Sequence, residues 1–163
     1  MTVIAGFCAA HANSGKTTLV LRLLEELQRR GVNTAVLKHG RHLDGDDQKD
    51  SRRYAARTPS LFVSPEGWQL EARPELELPL EQAVRLIREV SGCQVLLIEG
   101  YKQADIPKIA VCRREVSLEL PCEPSRLLAA VTDAPLPFDL PQFDFDQIGP
   151  LCDLILSLPP CEV

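Results

Sequence analysis

The sequence predicts an α/β fold, with a mostly parallel central sheet flanked by helices and one short antiparallel strand region. Three observations carry this. First, apolar runs of strand length, bounded by glycine, proline or acidic residues, alternate with amphipathic stretches of helical period. Second, the run from Val3 to Cys8 passes through a small-residue loop into a helix and then a second strand, Val32 to Lys38. That is a βαβ unit, which requires parallel pairing and a right-handed crossover. Third, the four consecutive aliphatics from Val95 to Ile98 have the character of a strand buried on both faces. At 163 residues the chain is read as a single domain, 1–163, long enough to bury about 70% of its unfolded surface.

The loop after the first strand ends Gly15-Lys16-Thr17-Thr18 and fits G-x-x-x-x-G-K-[ST] except at its first position, where Ala10 replaces glycine. Small residues let successive backbone N–H groups turn inward around phosphate oxygens, and the helix N-terminus adds its positive dipole end. His11, Ala12, Asn13, Ser14, Gly15, Lys16, Thr17 and Thr18 form the predicted phosphate cradle. Lys16 is placed to reach the β- and γ-phosphates, and Thr17 to ligate Mg²⁺ through its hydroxyl. Alanine tolerates positive φ poorly, so Ala10 weakens binding only if its position demands that conformation. The alternative, a chance Gly-Lys-Thr capping an ordinary helix, lacks the strand on one side and the amphipathic helix on the other. The expectation is a P-loop nucleotide-binding domain.

The first helix is expected from Gly15 to Arg30, with Val20, Leu23, Leu24 and Leu27 as its buried stripe. Arg22, Glu25, Glu26, Arg29 and Arg30 take the wet face, and Gly31 follows as the C′ residue. Residues 39–53 form a dense polar loop beyond a strand's C-terminal end, the edge where open parallel sheets bind ligands. A short helix over 49–57, a strand over 60–64 and a second short strand from Trp68 follow, with Trp68 expected to pack. Leu80 to Val90 is amphipathic, with Ala83, Val84, Ile87 and Val90 on one side. The strand after it ends in Glu99, where a Walker-B acid holds Mg²⁺ or orients a water. Gly100 is read as letting the chain pass close to the phosphates. Lys108 to Cys112 and Leu127 to Asp133 are further strands, and the second is read as the last clear one. Residues 139–145 are a connector, and Asp146 is expected to cap a final helix over 148–158 striped by Leu151, Leu154, Ile155 and Leu158.

A net charge of −5 and a pI near 5.2 argue against a nucleic-acid surface. No apolar run approaches the ~20 residues of a membrane span, so a cytoplasmic location without membrane contact is expected. The six cysteines form no C-x-x-C pair, and several are expected to be small core hydrophobes, Cys8 and Cys93 above all.

Three separated stretches coincide with one family. They are Ala12–Leu19, Lys38-His39-x-x-His42 followed by Lys49-Asp50-Ser51-x-Arg53, and Glu99-Gly100-Tyr101-Lys102 with Pro107-Lys108-Ile109. Together they resemble the molybdopterin-guanine dinucleotide biosynthesis adapter proteins over about residues 1–160. The resemblance departs in the loop between His42 and Lys49, which is short, and at Ala56-Arg57-Thr58, where the family tends to have Ala-Gly-Ala. It implies a GTP-binding, homodimeric α/β protein with at most slow GTP hydrolysis. Such a protein assists the guanylyltransferase that attaches GMP to molybdopterin, and works with other proteins of the molybdenum cofactor pathway. On that reading Lys16 and Glu99 stand closest to the reacting phosphates. Asp133, at a strand end on the base-binding side, would accept from guanine N1–H and N2–H₂. The loop of His39, His42 and Asp44 is assigned a switch or a contact with the pterin phosphate. Asp44 is offered as a metal ligand, with Asp46 and Asp47 as alternatives for the same role. Two rivals use the same scaffold: an ATP-dependent small-molecule kinase or ligase resembling dethiobiotin synthetase, and a nickel-type metallochaperone GTPase.

Overall fold

The computed structural model describes residues 1–40, 58–71 and 78–161. The chain divides into two compact units, one made of residues 1–39 and 80–163 and the other of residues 40–79. The expected helix over 49–57, and with it His42, Asp44, Asp46 and Asp47, lies outside the described residues.

In the first unit, β1 (Val3–Cys8) leads into α1 (Lys16–Arg29) and then β2 (Thr34–Lys38). The helix is ended by a Schellman turn. Gly31, at φ +75°, donates its N–H to Gln28, and Val32 donates to Leu27. Val32 thereby belongs to the turn, which is why β2 starts two residues later than its apolar pattern suggests.

The second unit contributes a hairpin, β3 (Ser60–Ser64) and β4 (Gly67–Glu71), paired antiparallel around a Pro65-Glu66 turn. The chain then continues through α2 (Leu80–Ser91), β5 (Val95–Glu99), β6 (Lys108–Cys112), β7 (Ala129–Thr132), β8 (Gln142–Phe143) and α3 (Ile148–Leu156).

Six strands make one sheet in the order β2-β5-β1-β6-β7-β8, and every strand pair in it is parallel. β1 lies between β5 and β6, with Phe7 opposite Glu99 and Gly6 opposite Lys108. One face carries Ala5, Phe7, Leu97, Ile109 and Val131, covered by Leu19, Leu23 and Leu27 of α1 and Leu151 and Ile155 of α3. Burying each large aliphatic there is worth about 1.5–3 kcal/mol, which fixes α1 and hence the loop before it. The other face is covered by α2 through Val84 near Ile4, Leu96 and Ile98. Towards β7 irregular chain bearing Leu118, Leu120, Leu127 and Leu136 replaces a helix. Cys8, Cys93, Cys112 and Cys152 are buried free thiols. Burial pushes Cys8 up to about 12, with a smaller contribution from Cys122, so Cys8 acts as a small hydrophobe.

Four expectations need correction. β7 is not the last strand: Gln142–Phe143 adds a two-residue β8 inside the stretch read as a connector. Its Gln142 amide accepts from the Leu136 N–H and donates to the Leu136 carbonyl, closing the intervening loop. Asp146 does not cap the final helix; Gln147 occupies the N-cap with no side-chain cap bond, and Asp146 instead receives Arg22 at 3.1 Å. Arg22 and Arg30 are not free on a wet face. Arg30 donates to Asp153 at 2.6 Å and to the Gly149 carbonyl, while Arg22 also donates to the Phe145 carbonyl, tying α1 to the α3 segment. Finally, Trp68 is not packed away but 54% exposed.

In the hairpin, Leu61 faces Leu70 and Val63 faces Trp68 across the strands, so all four share one face. They are 60%, 46%, 68% and 54% exposed in that order. Among the described residues, no helix is long and apolar enough to cross a membrane.

Candidate functional site

β1 is pinned on both sides, so its C-terminal end delivers the loop to a fixed place. The Gly6 N–H donates to the Pro107 carbonyl at 2.8 Å, and the Gly100 N–H to the Phe7 carbonyl at 3.1 Å. The loop then turns through two left-handed residues, Asn13 (φ 61°) and Gly15 (φ 87°). Asparagine is among the side chains that tolerate this region. Ser14, buried at 2% exposure, donates its hydroxyl to the His11 carbonyl at 3.0 Å and closes the turn. Among the described residues only Asn13 and Tyr101 are non-glycines at positive φ, so Ala10 adopts no conformation that glycine alone would favour. Its carbonyl accepts from Lys102 Nζ at 3.1 Å, an anchor from the β5–β6 connection.

Residues 12–18 line a cavity of about 440 Å³ together with Glu99 and Arg113. Glu99 is 8% exposed, and both its oxygens accept from Thr17 Oγ1, at 2.9 and 3.1 Å. A threonine hydroxyl and a nearly buried carboxylate are hard oxygen donors side by side, the set that suits Mg²⁺. The inward-turned backbone and the first turn of α1 suit phosphate oxygens. The residues present therefore fit a Mg²⁺–nucleotide, with Thr17 and Glu99 as the groups to hold the ion directly or through water.

His11 does not line this cavity; its exposed ring approaches Glu119 Oε2 at 3.4 Å. His39 follows β2 and packs on Tyr101 with ring centroids 4.3 Å apart. Gly100 makes room for His39. At its φ of 105°, a Cβ would stand 2.9 Å from the His39 carbonyl oxygen and 3.1 Å from the His39 Cβ. The Glu-Gly-Tyr-Lys stretch is thus four adjacent jobs: Glu99 on Thr17, Gly100 under His39, Tyr101 against the His39 ring, and Lys102 on the loop.

Asp133 is placed apart from the phosphate loop, in a second cavity of about 300 Å³ at the ends of β7 and β8, lined also by Thr132, Pro135, Gln142, Phe143 and Gln147. One of its oxygens accepts the Arg114 N–H at 2.7 Å, leaving acceptor capacity on the other.

Arg113 escaped the sequence reading, and Lys102 was quoted there within the Glu-Gly-Tyr-Lys stretch without a role of its own. Arg113 follows directly on β6, so the strand-end rule that picks out Glu99 and Asp133 also reaches it. Among the described residues, no group of three His, Cys, Asp or Glu side chains is gathered to share a metal ion.

Residues 4–133 match the family model described as molybdopterin guanine dinucleotide synthesis protein B. The molybdopterin-guanine dinucleotide biosynthesis adapter protein of Haemophilus influenzae is 32% identical over 149 residues, covering 89% of this chain and 83% of its own length. The protein of that name from Escherichia coli is 32% identical over 158 residues, covering 91% and 89%. Among solved structures, Bacillus subtilis MobB superposes with a TM-score of 0.69 at 26% identity, covering 94% of this chain and 96% of that one. A MobB homologue from Bacillus stearothermophilus gives 0.71 at 20% identity, with 96% and 100% covered, a likeness of fold. With the loop, its acid and its anchor arranged as above, this chain belongs to the molybdopterin guanine dinucleotide synthesis protein B family.

Proposed function

We propose that this protein is a GTP-binding adapter in molybdopterin guanine dinucleotide biosynthesis that assists the guanylyltransferase in the cytoplasm. The observation that carries the nucleotide part is the Thr17–Glu99 pair at the mouth of a loop whose turn is closed by Ser14 and held by Lys102. The names of its relatives supply the pathway. On this reading residues 12–18 bind the phosphates through backbone N–H groups, Lys16 neutralises the outer ones, and Thr17 and Glu99 hold Mg²⁺. The ion, when bound, neutralises charge between the β- and γ-phosphates. Asp133 reads guanine through its free acceptor capacity. Phosphoryl transfer rests on positioning and charge stabilisation, and no residue is assigned on this reading as general base or arginine finger, so slow hydrolysis by the lone protein is expected.

The same reading includes a homodimer. A two-stranded hairpin is marginal by itself, and this one exposes Leu61, Val63, Trp68 and Leu70 on one face. A second copy of the chain is the occupant proposed for it.

The test is equilibrium binding of GTP and ATP with Mg²⁺ to wild type, Lys16→Ala and Asp133→Asn. GTP binds better than ATP in wild type, Lys16→Ala loses both, and Asp133→Asn lowers the GTP-over-ATP ratio by about 10-fold or more. A preference for ATP would move the protein to the kinase or ligase class.

A further inference from the structure

We propose that Arg113 is a phosphate-binding residue of this site, a cation supplied in cis that grips the inner phosphates of the bound nucleotide. The inference rests on the guanine-nucleotide reading above and adds a residue that neither the loop motif nor the Glu-Gly-Tyr-Lys stretch contains.

Four observations point the same way. Arg113 lines the phosphate-loop cavity, and its guanidinium lies against Gly15: a Cβ at Gly15 would stand 3.3 Å from its terminal nitrogen. The guanidinium is held in place, stacked over the Phe145 ring with its carbon 4.8 Å from the centroid. The side chain is half-buried, yet among the described residues its guanidinium has neither a hydrogen-bond acceptor nor a carboxylate partner. A planar fork of five donors, desolvated on one side by an aromatic ring and aimed at a phosphate loop, lacks only an anion. Arg22 and Lys102 contrast with it, because Arg22 donates to the Phe145 carbonyl and Asp146 and Lys102 to the Ala10 carbonyl.

The sheet order decides which phosphates it meets. Glu99 ends β5 on one side of β1, and Arg113 follows β6 on the other. The Asp133 cavity lies further out on the Arg113 side, at β7 and β8. A nucleotide laid with its metal at Glu99 and its base towards Asp133 brings its inner phosphates past Arg113. The guanidinium therefore acts on groups common to GDP and GTP. It is a binding residue and not a participant at the γ-phosphate. Gly15 gains a second reason to be glycine, since a side chain there would displace the cation as well as strain the turn.

The experiment measures GTP and GDP affinity with Mg²⁺ for wild type, Arg113→Gln and Lys16→Ala, with ligand-free thermal unfolding as the fold control. Arg113→Gln is expected to weaken both nucleotides by the same factor, about 10- to 100-fold, with an unchanged ligand-free transition. If that variant unfolds, Arg113→Lys carries the test. It keeps the charge but not the planar fork, and should weaken GDP and GTP equally, by a smaller factor. Loss confined to GTP would overturn the assignment, because it would put the cation at the γ-phosphate. Full affinity in Arg113→Gln beside a dead Lys16→Ala would overturn it too, while sparing the guanine-nucleotide reading. Wild type that binds neither nucleotide takes both readings down.

Discussion

Glu26 lies on the flank of α1, where Arg29 donates to both its carboxylate oxygens at 2.8 Å and Arg30 to one of them at 2.7 Å. The Arg29 hydrogen bonds first, and then Arg30, hold its pKa down from 4.5 to about 2. A carboxylate whose folded pKa is depressed adds stability above its unfolded pKa, and that stability is lost as pH falls through the folded value. Comparing urea unfolding of wild type and Glu26→Gln from about pH 6 down to pH 2 should show wild type ahead at the start. The gap should close between about 4.5 and 2. A gap that does not change with pH would show that the arginines do not act through the charge. Residue by residue, the types that sequence could assign were those whose chemistry is tied to a motif: Lys16, Thr17 and Glu99 lie together in the structure. Arg22, Arg30 and Arg113 carried no such mark, because an arginine on a predicted helix or in a loop has solvent as its default surroundings. What each one touches depends on segments far along the chain, as with Arg30 and Asp153.

At the scale of elements, the junction of β2 and β5 is a tight point near the site. Gly100→Ala places a methyl group 2.9 Å from the His39 backbone oxygen at a φ of 105°. It should cost about 2–4 kcal/mol in denaturant unfolding. Gly31→Ala is the control: φ is 75° there, but nothing lies within 4 Å of the added carbon, so about 1 kcal/mol is expected. Equal costs would mean that backbone strain alone, and not crowding of His39, makes Gly100 necessary. Apolar period located β1, α1, α2, β5 and β6 because each buries a stripe or a whole strand. It missed β8, whose two residues are too few to show a period, and whose pairing is held by the Gln142 amide. It also misplaced the cap of α3. Asp144, two residues earlier than Asp146, accepts the backbone N–H groups of Asp146 and Gln147, at 2.8 and 3.0 Å. An Asx turn and a helix cap draw on the same residue types, and only the backbone path separates them.

For the molecule as a whole, the prediction concerns the hairpin. If the proposed dimer forms through this face, wild type sediments as a dimer, and replacing Trp68 and Val63 by serine should shift it to monomer in sedimentation equilibrium while leaving the ligand-free unfolding of the first unit unchanged. A monomeric wild type would overturn the proposed dimer. An unaltered dimer would place the interface elsewhere. The parallel sheet itself was legible, because one βαβ unit at the start commits the rest of an open sheet. The strand order was not, since β5, β6 and β7 are all aliphatic strands and nothing local says which of them flanks β1.

That order has a consequence during synthesis. β1 leaves the ribosome before every other strand of its sheet, yet its two partners span residues 95–99 and 108–112, and β2 pairs only with β5. At ribosomal rates of about 5–20 residues per second, β1 waits roughly 5–20 seconds for its first hydrogen-bonding neighbour. Through that interval, while the β3–β4 hairpin and α2 are also made, β1 and β2 have no sheet to join, which is the stage at which a holding chaperone would find them.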